Sequence, residues 1–211
     1  MTTIEENLKQ YIVPIFHDDE FLGTGFICNS VLITAKHVLY QCDKTEGTCG
    51  ELDPTELTFV FKDVDCHILS CLYHEHEVPD NRRCNKYLDL AVLKTELVEI
   101  DGIVLANTLE PYDENDAKYI GFQFDEETKV ISSFSCQGIL HLHSYLINNS
   151  SVVIYRNTLV LAEASGIEKG MSGGPVFVRD TVVGMLVSKS DDLNYCRLVS
   201  AHHIAGVLAN I

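Results

Sequence analysis

The sequence predicts an all-β protein built as two barrel-like lobes, with a short helix at its C-terminal end. Three observations carry that expectation. Short β-branched and aromatic runs recur along the 211 residues, most of them bounded by Gly, Asn or Asp, the pattern of a sandwich or barrel. Helical periodicity is confined to the two ends. A polar stretch from Leu97 to Asp116, holding a proline and several acids, separates the runs into two groups.

Taken in order, residues 2–10 predict a short helix, because Thr3 and Glu6 stand at capping-box spacing. The runs YIVPIF, FLGTGFIC, VLITA, LTFVF, CHILSCLY and DLAVLK predict the strands of a first lobe, residues 1–100. Residues 101–116 predict the connection. KYIGF, KVISSFSCQGIL, SVVIY, NTLVLAE, GPVFV and TVVGMLVS predict the strands of a second lobe, residues 117–211. Its last segment, Ser200 to Ile211, places Ile204, Val207, Leu208 and Ile211 on one face of an amphipathic helix.

Composition bounds the function. A chain of this length buries a core without disulfide staples, and 46% hydrophobic with 22% charged residues describes an ordinary globular protein. Fifteen basic against 31 acidic residues give a formal charge of −16. Such a surface repels phosphate backbones and anionic lipid, so polypeptide is the expected partner, with neither nucleic acid nor membrane. The N-terminus lacks a basic segment followed by an apolar one, and no run approaches the ~18 apolar residues of a membrane span. A cytoplasmic setting with reduced, buried thiols is the resulting expectation for the eight cysteines. Cys42, Cys49, Cys66, His67, Cys71, His74, His76 and Cys84 form a soft-ligand set, yet no C-x-x-C pair occurs among them. No metal and no cofactor are therefore expected. A Cys42–Cys49 bridge is the lesser alternative.

The chemistry centres on GMSGGPVF, residues 170–177. Gly170-Met171-Ser172-Gly173-Gly174 satisfies the G-x-S-x-G elbow of α/β-hydrolases. It also satisfies a second serine signature, G-x-S-G-G-P, and it reads equally as a plain glycine turn. The elbow must lead into a helix, whereas Pro175, Val176 and Val178 predict a strand. A nucleophilic serine then needs a base and a carboxylate. His37 follows the apolar run VLITA, where a strand end breaks into a turn. Asp89 heads the apolar strand DLAVLK, where a carboxylate is costly to bury unless it accepts hydrogen bonds.

TAKHV, DLAVL and GMSGGP, in that order, resemble the three catalytic segments of the chymotrypsin-like (trypsin-fold) serine proteases. GTGFIC and VVGMLVS extend the resemblance over roughly residues 20–200. It implies two six-stranded antiparallel barrels, with Ser172 as nucleophile, His37 as general base and then acid, and Asp89 as orienting carboxylate. The N–H groups of Gly170 and Ser172 would form the oxyanion hole. Secreted digestive relatives carry an aspartate before the serine, paired with a freshly cleaved N-terminus; Met171 cannot make that ion pair. They also carry a cysteine where Val38 stands. Both departures resemble the intracellular, HtrA-like and viral members. The resemblance places the primary pocket at Gly166 and Ile167, with Val187 and Ser188 opposite. Gly166 stands near the position of the aspartate in trypsin-like members, so cleavage after Lys or Arg is not expected. Two further readings stay open: a catalytically silent module that binds polypeptide, and a protease module organised by an activating protein partner.

Overall fold

A computed structural model describes residues 4–43, 48–75, 89–106, 117–125, 127–128, 130–149, 152–168, 170–189 and 195–211. The first helix, α1 (Ile4–Lys9), leads into β1 (Ile12–His17), β2 (Glu20–Cys28) and β3 (Val31–Thr34), and a 3₁₀ turn follows at Lys36–Leu39. A hairpin of β4 (Tyr40–Asp43) and β5 (Thr48–Glu51) comes next, then β6 (Leu57–Phe61), β7 (Val64–Glu75) and β8 (Leu90–Thr95). The second half holds β9 (Ala117–Asp125), β10 (Val130–Asn149), β11 (Val152–Ala162), β12 (Pro175–Val178), β13 (Thr181–Lys189) and β14 (Tyr195–Ser200), and ends with α2 (Ala201–Leu208).

The strands form two closed six-stranded barrels, ordered β1-β2-β3-β8-β7-β6 and β10-β11-β14-β13-β12-β9. Every ladder in them is antiparallel. Closure removes the unpaired edges that open sheets expose. In β6 the alternation is plain: Leu57, Phe59 and Phe61 are buried, while Thr58 and Val60 between them are half-buried. In β13 the alternation is lost, and Val182 through Val187 are all buried. Part of the reason is the connecting segment. Val182 N–H donates to Val104 O at 2.9 Å, and Ala106 N–H donates to Val182 O at 2.9 Å. Just before them, Ile103 N–H donates to Ile27 O at 2.9 Å. One strap of chain thus pairs with both barrels.

Several elements differ from the sequence reading. The helix α2 stops at Leu208, so Ile204 and Val207 are buried while Ile211 is 54% exposed. Ser200 caps its start, with its hydroxyl accepting the His203 N–H at 3.3 Å. The β4–β5 hairpin has no counterpart among the predicted runs. The run KVISSFSCQGIL extends into a strand of 20 residues. It pairs with β9 through Gly138 and with β11 from Ile139 onward, so the strand outgrows either partner's register. SVVIY and NTLVLAE are two parts of the single strand β11.

Cys42 and Cys49 are register partners across the hairpin; His76 and Cys84 lie outside the described residues. Among the described residues, no group of three His, Cys, Asp or Glu side chains converges as a metal ion would need. No described helix is long and apolar enough to cross a membrane. Cys28, Cys66, Cys71, Cys136 and Cys196 carry free thiols. Burial pushes the thiols of Cys28, Cys136 and Cys196 up to about 11. At neutral pH they are therefore protonated and poor nucleophiles. Iodoacetamide at neutral pH is expected to leave these three unmodified in the folded protein and to alkylate them in denaturant, as read by peptide mass spectrometry.

Candidate active site

His37 sits in the 3₁₀ turn that ends β3, where the extended residue Ala35 accepts the Val38 N–H at 3.0 Å. The turn is pinned on both sides of the imidazole. Lys36 is fully buried, and its ammonium pairs with Glu51 at the end of β5. A buried cation without a partner would be driven out of the folded state. The Lys36 ammonium holds the Glu51 carboxyl below its ordinary value, chiefly by direct hydrogen bonding.

Asp89 immediately precedes β8 and its side chain is 8% exposed. Both carboxylate oxygens are used on one residue. Oδ1 accepts the His37 backbone N–H at 2.8 Å, and Oδ2 lies 2.5 Å from His37 Nδ1. A carboxylate can only accept, so Nδ1 carries a proton, and in the neutral ring the lone pair then lies on Nε2. The imidazole is 41% exposed, which leaves that lone pair accessible.

Ser172 lies in the loop before β12. Its backbone oxygen accepts the Thr24 N–H at 3.0 Å. A Cβ built on Gly23 would lie 2.8 Å from Val38 Cγ2 and 3.3 Å from Ser172 O. Gly23 is thus the gap across which the histidine turn and the serine loop face each other. The Ser172 hydroxyl itself donates to Val187 O at 3.1 Å, so its proton is turned toward β13 and not toward His37.

Gly170 adopts φ +90° and Gly173 φ +89°, a region that L side chains avoid. A Cβ on Gly170 would also strike the Phe21 ring at 2.4 Å. Among the described residues, no acceptor takes the N–H of Gly170 or of Ser172. Met171 between them is fully buried, and its thioether accepts the Glu168 N–H at 3.2 Å.

Of the pocket residues, Gly166 (φ +78°) is exposed above the Phe134 ring, while Ile167 is buried. Across from them, Val187 is buried and its oxygen holds Ser172, and the Ser188 hydroxyl is buried without a partner. Sequence reasoning missed Lys189, whose ammonium donates to Ile167 O at 3.3 Å and so bridges the two segments. It directly follows Ser188 in a run already singled out, so its position was readable. Thr24 and Tyr119, which hold the serine loop, were missed as well.

A sequence model of the family described as "Trypsin-like peptidase domain" matches residues 23–185. The chain belongs to the trypsin-like peptidase family. No curated protein sequence matches it. Among solved structures it is similar to the active form of the Rv3671c protease from M. tuberculosis, at 19% identity and TM-score 0.65, covering 99% of this chain and 83% of that one. The inactive form of the same protease gives 16% identity and TM-score 0.64, over 99% and 92%. A Glu endopeptidase bound to MPD gives 12% identity and TM-score 0.67, over 95% and 89%. At these identities the likeness is one of fold, and it does not separate an active from an inactive protease.

For this trypsin-like peptidase, the Lys36–Glu51 pair has a defined pH signature. Glu51 has its folded value lowered, so its stabilising contribution is present at neutral pH and is lost as pH falls through that lowered value. Glu51→Gln is expected to lower Tm at neutral pH, with the difference from wild type shrinking in acid. Because Glu51 is 45% exposed, the loss stays below the about 3–5 kcal/mol of a wholly buried pair. Thermal melts across pH read both effects.

Proposed function

We propose that this protein is a serine endopeptidase that cleaves polypeptide through an acyl-enzyme on Ser172. The observation that carries the reading is the double grip of Asp89 on His37, through the backbone N–H and Nδ1. That grip leaves Nε2 as a base beside the serine loop. In the reaction, the Ser172 hydroxyl rotates from Val187 O to His37 Nε2 and gives up its proton as Oγ attacks the scissile carbonyl carbon. The Gly170 and Ser172 N–H groups receive the developing oxyanion. The imidazolium, stabilised by Asp89, then protonates the leaving amine. A water activated by the same nitrogen hydrolyses the ester and regenerates the hydroxyl.

The Ser172–Val187 hydrogen bond favours one second reading, a peptidase that stays latent until a protein partner turns the hydroxyl. Labelling with a fluorophosphonate probe tests both. The wild type is expected to label, and Ser172→Ala and His37→Ala are not. Folded wild type that never labels overturns the first reading, and labelling only with an added partner favours the second.

Two further outcomes follow from the geometry. Asp89→Asn can donate to Nδ1 and so places the proton on Nε2, and kcat is expected to fall by about 10⁴-fold with KM little changed. Lys189→Ala removes the bridge to Ile167. Peptide-library profiling is expected to show kcat/KM rising about tenfold for bulky residues at the cleaved bond, and little change for small ones.

A further inference from the structure

Three consecutive carbonyl oxygens of the serine loop are held from outside it. The Thr24 hydroxyl lies 3.2 Å from Gly170 O, the Tyr119 hydroxyl donates to Met171 O at 2.6 Å, and the Thr24 N–H donates to Ser172 O at 3.0 Å. The Thr24 oxygen accepts the Phe122 N–H at 3.0 Å, and its own proton finds Gly170 O closer than Phe122 O at 3.4 Å. Because a peptide unit is planar and trans, fixing its oxygen fixes its N–H in the opposite direction. The unit that carries Met171 O also carries the Ser172 N–H. The unit that carries Gly170 O carries the Met171 N–H, 3.4 Å from Glu168 O, and the unit that carries Ser172 O carries the Gly173 N–H, 2.8 Å from Leu186 O. The Ser172 N–H, which has no acceptor among the described residues, is therefore aimed by the carbonyl that Tyr119 holds, between two peptide units whose carbonyls Thr24 holds.

The phenol sits in a slot made for it. A Cβ on Gly121 would lie 1.9 Å from the Tyr119 hydroxyl, and one on Gly174 would lie 2.6 Å from it. Packing alone would be served by phenylalanine; a buried hydroxyl is retained where it has a partner to meet. Burial pushes the Tyr119 hydroxyl well above its ordinary value, so it remains a donor through alkaline pH.

We propose that Tyr119 and Thr24 are positioning residues that set the Ser172 N–H group for the oxyanion before substrate arrives, Tyr119 by holding its own peptide unit and Thr24 by holding the units on either side. The inference rests on the serine-peptidase reading for its catalytic consequence, and on geometry alone for its structural one. The test uses Tyr119→Phe, Thr24→Val and the conservative Thr24→Ser, each verified as folded by its melt. Hydrogen–deuterium exchange over residues 170–174 is expected to speed up at least tenfold in Tyr119→Phe and Thr24→Val and to stay at the wild-type rate in Thr24→Ser. In parallel, kcat per titrated site is expected to fall about 10- to 100-fold in the first two, with KM within about twofold and Thr24→Ser near wild type. Wild-type exchange in Tyr119→Phe and Thr24→Val overturns the proposal, as does a kinetic loss confined to KM. A wild type that never reacts with fluorophosphonate would instead overturn the serine-peptidase reading, while the exchange measurement still decides the latch.

Discussion

Thr24 is the residue through which the two barrels agree on a distance. The candidate site is divided between them: His37 and Asp89 flank strands of the first, and Ser172 belongs to a loop of the second. Thr34, three residues before His37, donates its hydroxyl to Thr24 O at 2.7 Å, and Thr24 donates its own N–H to Ser172 O at 3.0 Å. Two hydrogen bonds thus connect the strand that delivers the histidine to the loop that carries the serine. Gly173 makes the approach possible, since a Cβ there would lie 1.9 Å from Thr24 O and 2.4 Å from Thr34 Oγ1. Side chains that would separate the barrels are absent where the chemistry needs them close.

Beside that joint, the two charges buried around the histidine turn are tolerated because each has an assigned partner. The histidine turn holds a buried ammonium on one side and a buried carboxylate on the other, one answered by Glu51 and the other by two donors of His37. The arrangement trades desolvation for orientation. A free imidazole on a short turn would sample several rotamers and two tautomers. Asp89 selects one of each, and Lys36 keeps the turn from unwinding.

Much of this was legible in the sequence, and the limits have physical causes. Apolar runs broken by turn residues signalled closed β-structure, because strand period and turn chemistry are local properties. His37 and Asp89 were readable as charged or titratable residues at the ends of apolar runs, positions that demand a partner. Gly170 was readable because its φ of +90° is a backbone conformation that only glycine takes without strain. The β4–β5 hairpin was not, since its strands are short and lack an apolar face in sequence. The length of β10 was hidden because the strand exchanges partners at Gly138, and pairing is set by tertiary contact. Tyr119 was invisible for a related reason: nothing near it in sequence names Met171, 52 residues away, as its acceptor.

Met171 shows how the serine loop can be apolar inside and still hold a demanding backbone shape. Its side chain is fully buried and accepts an N–H through sulfur, while its carbonyl takes hydrogen bonds from Tyr119 and, at 3.2 Å, from the Gly174 N–H. Gly173 N–H and Leu186 O, 2.8 Å apart, tie the far side of the loop to β13, and Leu186 N–H returns the contact to Gly174 O at 2.8 Å. The hydrogen-bond groups named in these anchors are neutral: hydroxyls, a thioether and backbone amides. The shape of the loop then depends on packing and on hydrogen bonds that neither titrate near neutral pH nor weaken appreciably with salt. An ion pair at the Met171 position would do the same work only while both charges were present, and it would tie the site to whatever event supplied the second charge. With a thioether there, the loop is held by the joint between the barrels and by β13, with no charge at the Met171 position.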